Sequence, residues 1–169
     1  MKIIEAMKKI KANKEKIVDL QEKIKGNSAN LSFETPLYPD PKEKITGWAQ
    51  AAEDIGQENI RLLVAIQRTN LATQVTIELG GVSVTKNIAE WVWRRRDYAK
   101  VDLGTWSMMT DRNLKEGQAQ SSVGTPLEVK IVRHYDPTLR DTKKALYAGE
   151  PHQIDSALEV VNATTDLME

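Results

Sequence analysis

The chain reads as a mainly α protein, an antiparallel bundle of long heptad-patterned helices with a small β-hairpin and one further strand. Three observations lead there. Two long segments repeat apolar residues at alternating three- and four-residue intervals. One short segment switches to strict alternation on either side of a Gly-Gly pair. Proline, glycine and asparagine gather between the periodic stretches, where chain direction must change.

The first helix is expected over about 2–25. Ile3, Met7, Ile10, Ile17 and Ile24 fall on a heptad seam, with Lys14 and Gln21 in its two remaining slots. Gly26-Asn27 supplies residues that tolerate the left-handed conformation at a helix end. A connector with Pro36, Pro39 and Pro41 follows. The second helix spans about 41–70, opening on Asp40 as N-cap and Pro41 in the first turn. Its seam is Ile45, Trp48, Ala52, Ile55, Asn59, Leu62 and Ile66. Asn59 sits in that seam, where a buried amide sets register at some cost in stability. Over 74–85 the period becomes two, and Gly80-Gly81 accepts positive φ at both turn positions, which pairs Leu79 with Val82 and Ile77 with Val84.

A third helix is expected over about 86–110, anchored by Ile88, Trp91, Val92, Leu103, Trp106 and Met109. Asp111 to Pro126 is polar and reads as a loop. Leu127, Val129 and Ile131 alternate with Glu128 and Lys130, which predicts a strand over about 127–133. The last helix, about 137–162, opens on Asp136 as N-cap and Pro137. Gly149 and Pro151 predict a kink or break in it.

At 169 residues, with 40% hydrophobic and 28% charged residues, the chain fits a single helical domain over 1–169 that can stand without staples. Lys+Arg and Asp+Glu balance at 24 each. That argues against general attraction to nucleic acid or an anionic membrane, since both need excess cations. With no cysteine, disulfides, thiolate metal sites and cysteine nucleophiles are excluded. No apolar run reaches transmembrane length, and the N-terminus has no signal-peptide core. A cytoplasmic or virion location is expected.

The order of elements, with two short motifs, resembles a family of small helical proteins of bacteria and their phages labelled septicolysin-like, whose members are functionally uncharacterised. Ile66–Thr73 (IQRTNLAT) resembles the Arg-Thr-Asn ending of that family's second helix. Val161–Leu167 (VNATTDL) resembles its closing Asn-x-Thr-Thr-Asp-Leu. Trp91-Val92-Trp93 and the Gly149 region depart from its pattern. The resemblance singles out Arg68, Thr69 and Asn70 with Asn162, Thr164, Thr165 and Asp166 as a shared polar network. Such residues near helix ends ordinarily serve unmet backbone groups, and Arg68 is expected to pair with Asp166 or a nearby carboxylate. The family label suggests a haemolysin, yet every apolar stripe here is narrow and flanked by charge, unlike a lipid-facing segment.

Arg94, Arg95 and Arg96 form the sharpest basic feature. Consecutive helical residues fan around the axis, so they cannot line one phosphate stripe. At least one is expected to pair with an acid such as Asp97 or Asp102. Trp91 and Trp93 cannot share one seam, and together with the arginines they mark a possible interface. His134 and His152, the only histidines, read as solvated loop residues. No Ser-His-acid set, P-loop or dinucleotide turn is visible, and no catalytic residue, cofactor or metal is expected. The expected role is a non-enzymatic structural or assembly protein that oligomerises or docks on a larger assembly, in its specific form a capsid-associated component of a phage or prophage virion. The alternative is a nucleic-acid-binding accessory protein using Arg94–Arg96. A third reading is an enzyme or ligand-binding protein with a site near Arg68 and Asn162.

Overall fold

A computed structural model of the chain describes residues 1–168. Helix accounts for 62% of the protein, accompanied by two small antiparallel hairpins, so the fold is mainly α. Within the span read as one domain, contacts gather into two compact units. The first holds Met1–Gln74, Asn87–Ala89 and the chain from Leu158 onward. The second holds Val75–Lys86 and Glu90–Ala157.

In the first unit, α1 (Ile3–Asn27) packs along α2 (Pro41–Ala72). The α2 seam is the one read from the sequence: Asn59 is buried, and Thr69, also buried, extends the same seam by a step. The α1 seam differs. Ile3, Ala6, Ile10 and Asn13 are buried, while Met7, Lys14 and Gln21 are exposed. The heptad is present but its alternate positions are shifted by one residue. The reason lies across the seam: Asn13 Nδ2 donates to Asn59 Oδ1 at 2.9 Å and to Glu58 Oε2 at 2.8 Å. A polar layer thus lies inside an apolar seam, and Asn13 enters it because its partner is there. Lys9 Nζ reaches Glu58 on the rim at 2.6 Å. Asp40 precedes α2 but makes no side-chain cap, so Pro41 marks its start.

β1 (Gln74–Leu79) pairs with β2 (Val82–Asn87), and Val75–Lys86 of this hairpin belong to the second unit. Gly80 and Gly81 have φ of 58° and 79°, as the turn requires. The hydroxyls of Thr76 and Thr85 lie 2.7 Å apart, consistent with Ile77 beside Val84. Val75 and Ile77 are buried, but Val82 is exposed, so the apolar face fades toward the tip. The expected third helix is three pieces: α3 (Ile88–Trp93), a π-helical turn (Arg94–Tyr98) and α4 (Ala99–Ser107). The Ala99 amide reaches back five residues to the Arg94 carbonyl, which inserts one extra residue into the turn.

The segment read as a loop contains β3 (Gly117–Gln120), which pairs antiparallel with β4 (Pro126–Val129), Gly117 opposite Val129. The strand expected over 127–133 is therefore shorter and has a partner. Gly-Gln-Ala-Gln carries no apolar alternation, and all four residues of each strand are exposed, so backbone pairing alone defines this hairpin. In α5 (Pro137–Thr164), Asp136 Oδ1 accepts the Thr138 amide at 2.8 Å, as an N-cap should. The helix runs through Pro151 instead of breaking. Proline removes the donor that the Tyr147 carbonyl would accept, and burial of Glu150 and Ile154 on either side holds the helix together.

Candidate interaction surface

In the first unit the chain ends are clasped together. Lys2 and Asp166 form an antiparallel bridge. The Ile3 amide donates to the Thr165 carbonyl at 3.1 Å, and the Leu167 amide to the Met1 carbonyl at 2.8 Å. Lys2 Nζ donates to the Thr164 carbonyl at 2.8 Å and to Asp166 Oδ2 at 2.7 Å. One ammonium therefore serves an unmet C-terminal carbonyl of α5 and the carboxylate beyond it. Lys2 holds the Asp166 carboxyl below the usual range.

Thr69 joins α2 to this clasp. Its hydroxyl donates to the Ala65 carbonyl at 2.8 Å and accepts the Met168 amide at 2.9 Å. The residues singled out by the resemblance thus divide. Thr69, Thr164, Thr165 and Asp166 meet in one network, the two threonines near the C-terminus through their carbonyls. Asn70 lies next to it with Oδ1 buried and, among the described residues, without a hydrogen-bond partner. Asn162 is half-buried and outside the clasp. The expected Arg68–Asp166 pair is absent, because Asp166 is taken by Lys2 and lies near the N-terminal ammonium.

Arg68 instead lines a groove of about 550 Å³ with Met1, Glu58, Arg61, Ala65 and Met168 among its walls. The groove borders an apolar stripe of α2 that faces away from α1. Ile60, Leu63, Val64 and Leu71 are all exposed, Leu71 at 63%. Ile60, Val64 and Leu71 lie four and seven residues apart, which puts them within about 40° around the helix. This exposed stripe was not singled out in reading the sequence. Its signal was present, since α2 carries apolar residues at heptad spacing outside the Ile45–Ile66 seam.

In the second unit Trp91 is a core residue, 1% exposed, with Nε1 donating to the Val75 carbonyl at 2.9 Å. It is no interface residue of this chain. Trp93 is the exposed indole, and the Arg96 guanidinium lies 3.9 Å over its ring. Each arginine of the run has an acid. Arg94 makes a two-pronged contact with Glu150, Nε to Oε1 at 2.5 Å and Nη2 to Oε2 at 2.9 Å, and Nη1 reaches Asp102 at 2.5 Å. Hydrogen bonding to Glu150 raises the Arg94 pKa further. Arg95 pairs with Asp155, and Arg96 with Asp97. Glu150 is only 2% exposed and was not singled out in the sequence, where an acid beside Pro151 looks like any loop residue.

A further network ties the base of the β3–β4 hairpin. Asp111 accepts from Arg133 at 2.8 and 2.6 Å and from Tyr135 at 2.8 Å, and Arg140 Nη1 donates to the Met109 carbonyl at 3.0 Å. Arg133, then Tyr135, holds the Asp111 carboxyl low. His134 and His152 are exposed. Among the described residues no group of three or more His, Asp or Glu is placed to hold a metal ion, and no helix is long and apolar enough to cross a membrane.

Taken together, these features define a mainly helical protein with an exposed apolar stripe along one helix face. No protein-family model and no curated protein matches the chain. Among solved structures it resembles a functionally unknown conserved protein from Corynebacterium diphtheriae, over 99% of each chain, with a TM-score of 0.55 and 20% sequence identity. At that identity the likeness is one of fold.

Proposed function

We propose that this chain is a non-enzymatic assembly protein that associates with copies of itself, alone or within a larger assembly. The exposed stripe Ile60, Leu63, Val64 and Leu71 on α2 carries this reading. Scattered surface apolar residues are ordinary, but a stripe at helical spacing beside a groove marks a protein-binding face. The antiparallel bundle read from the sequence then forms between copies, each giving its α1–α2 pair. Occupation of Arg94, Arg95 and Arg96 by carboxylates is the reason nucleic acid is not the partner proposed: a phosphate would have to displace Glu150 or Asp155.

In its specific form the proposal makes this a member of the septicolysin-like family acting as a capsid-associated component of a phage or prophage virion, or in a cytoplasmic complex. Capsid, portal or tail genes flanking its own would support the virion form; a neighbourhood of housekeeping genes would count against it. Self-association is tested by light scattering across a concentration series. The expected mass is at least twice the 19.0 kDa of one chain. A monomer mass at every concentration would overturn the reading.

A further inference from the structure

After a mixed first turn with Lys42, Glu43 and Lys44, charge along α2 is segregated: Glu53, Asp54 and Glu58 come before Arg61 and Arg68. Glu58 is engaged by Lys9 and Asn13, and Asp54 only by the neutral amide of Gln50 at 3.0 Å. Among the described residues, Glu53, Arg61 and Arg68 have no ion-pair partner. Glu53 lies one heptad before Ile60, on the same apolar stripe. Arg61 and Arg68, a heptad apart, run along one flank of it. A stripe with acids at one end and bases at the other repels a parallel copy of itself, because Glu53 would face Glu53 and Arg68 would face Arg68. Reversed, Glu53 and Asp54 of each copy come beside Arg68 of the other, and these two opposite-charge contacts outweigh the single approach of Arg61 to its own copy midway along the stripe.

We infer that α2 pairs with α2 of a second copy, antiparallel, about a two-fold axis passing near residue 62; this rests on the self-association proposed above. In that register Ile60 packs against Val64 of the partner subunit, and the symmetry repeats the contact on the other side of the axis. Leu71 lies opposite the aliphatic stem of Glu53 of the partner subunit. Arg68 lies two or three positions along from the site directly facing the partner's Glu53 and Asp54. That offset is about 3–5 Å at about 1.5 Å per residue, within the reach of a guanidinium. Met1 and Met168, both half exposed, border the same face where α2 approaches the terminal clasp.

The chain contains no cysteine, so single thiols report this geometry cleanly. Glu53→Cys and Leu71→Cys both alter exposed positions, and helix content by circular dichroism checks that each variant folds. Each variant alone, and the two mixed, are treated with a short bismaleimide. The antiparallel pair predicts covalent dimer in the mixture and little in either variant alone. In a parallel pair, Glu53 and the partner's Leu71 would be 18 residues apart along the axis, about 27 Å, out of reach of a short linker. Cross-linking of each variant with itself would therefore overturn the antiparallel register while leaving self-association through α2 intact. A light-scattering dimer that cross-links in none of the three samples would show that another face is used and would overturn the inference alone. A monomer by light scattering would remove the underlying reading as well.

Discussion

The contact most exposed to a quantitative test is Arg94–Glu150. The perturbations are Arg94→Met and Glu150→Gln, and the structure predicts that they are unequal. Glu150 is 2% exposed, and Arg94 makes a two-pronged contact with its carboxylate. Arg94 has more latitude: its side chain is 22% exposed and it also holds Asp102. At about 4 Å between charge centres and an effective dielectric of about 20, the attraction is worth about 4 kcal/mol. Arg94→Met removes all of it and leaves a carboxylate in the interior, which costs about 3–5 kcal/mol. Glu150→Gln leaves Arg94 paired to Asp102 and keeps an acceptor for it, so a loss of about 1–2 kcal/mol is expected. The assay is urea denaturation followed by circular dichroism at constant pH. Equal losses in the two variants, or a loss below about 0.5 kcal/mol for Arg94→Met, would refute the reasoning by showing that Glu150 is solvated in solution.

Three further outcomes are expected. Asn59→Leu strands half of the Asn13 amide pairing inside the α1–α2 seam and should cost about 1–2 kcal/mol, a Tm loss of about 3–6 °C by scanning calorimetry, with no change in oligomeric mass because both amides belong to one chain. Gly80→Ala should destabilise more than Gly81→Ala: both need positive φ, but a Cβ on Gly80 would also meet Leu146 Cδ1 at 2.9 Å, whereas Gly81 faces open space; similar melting temperatures for the two would show that Leu146 yields freely. The Lys2–Asp166 clasp depresses the carboxyl pKa, so its contribution is present above the ordinary aspartate range and lost as pH falls through the lowered folded value. The Leu167 amide resonance should therefore titrate at more acid pH than a free aspartate would dictate, and Asp166→Asn should abolish that step.

Much of the local architecture was legible in the residues themselves. The α2 seam from Ile45 to Ile66, with Asn59 inside it, follows from a repeat that only one helix face can satisfy. The hairpin at Gly80-Gly81 follows from backbone sterics, because few residues accept positive φ twice in succession. Asp136-Pro137 opens α5 because a carboxylate and a preset φ suit a helix start. In each case the deciding atoms lie within a few residues of one another, so adjacency in the sequence is adjacency in space.

Tertiary structure decided what depended on distant partners. A heptad on α1 can be phased through Met7 and Lys14 or through Ala6 and Asn13, and propensity does not choose between them. Asn13 turns inward because Asn59 and Glu58 wait across the seam. Asp166 takes Lys2 in place of Arg68 because the two chain ends form a strand-like bridge, which no short-range pattern encodes. Pro151 is carried inside a helix, and Arg94 opens a π-turn toward an acid 56 positions along the chain. β3 exists because β4 supplies its hydrogen bonds. Backbone sterics and periodicity write local elements into the sequence, whereas a buried polar group takes whichever partner the finished fold brings within hydrogen-bond reach.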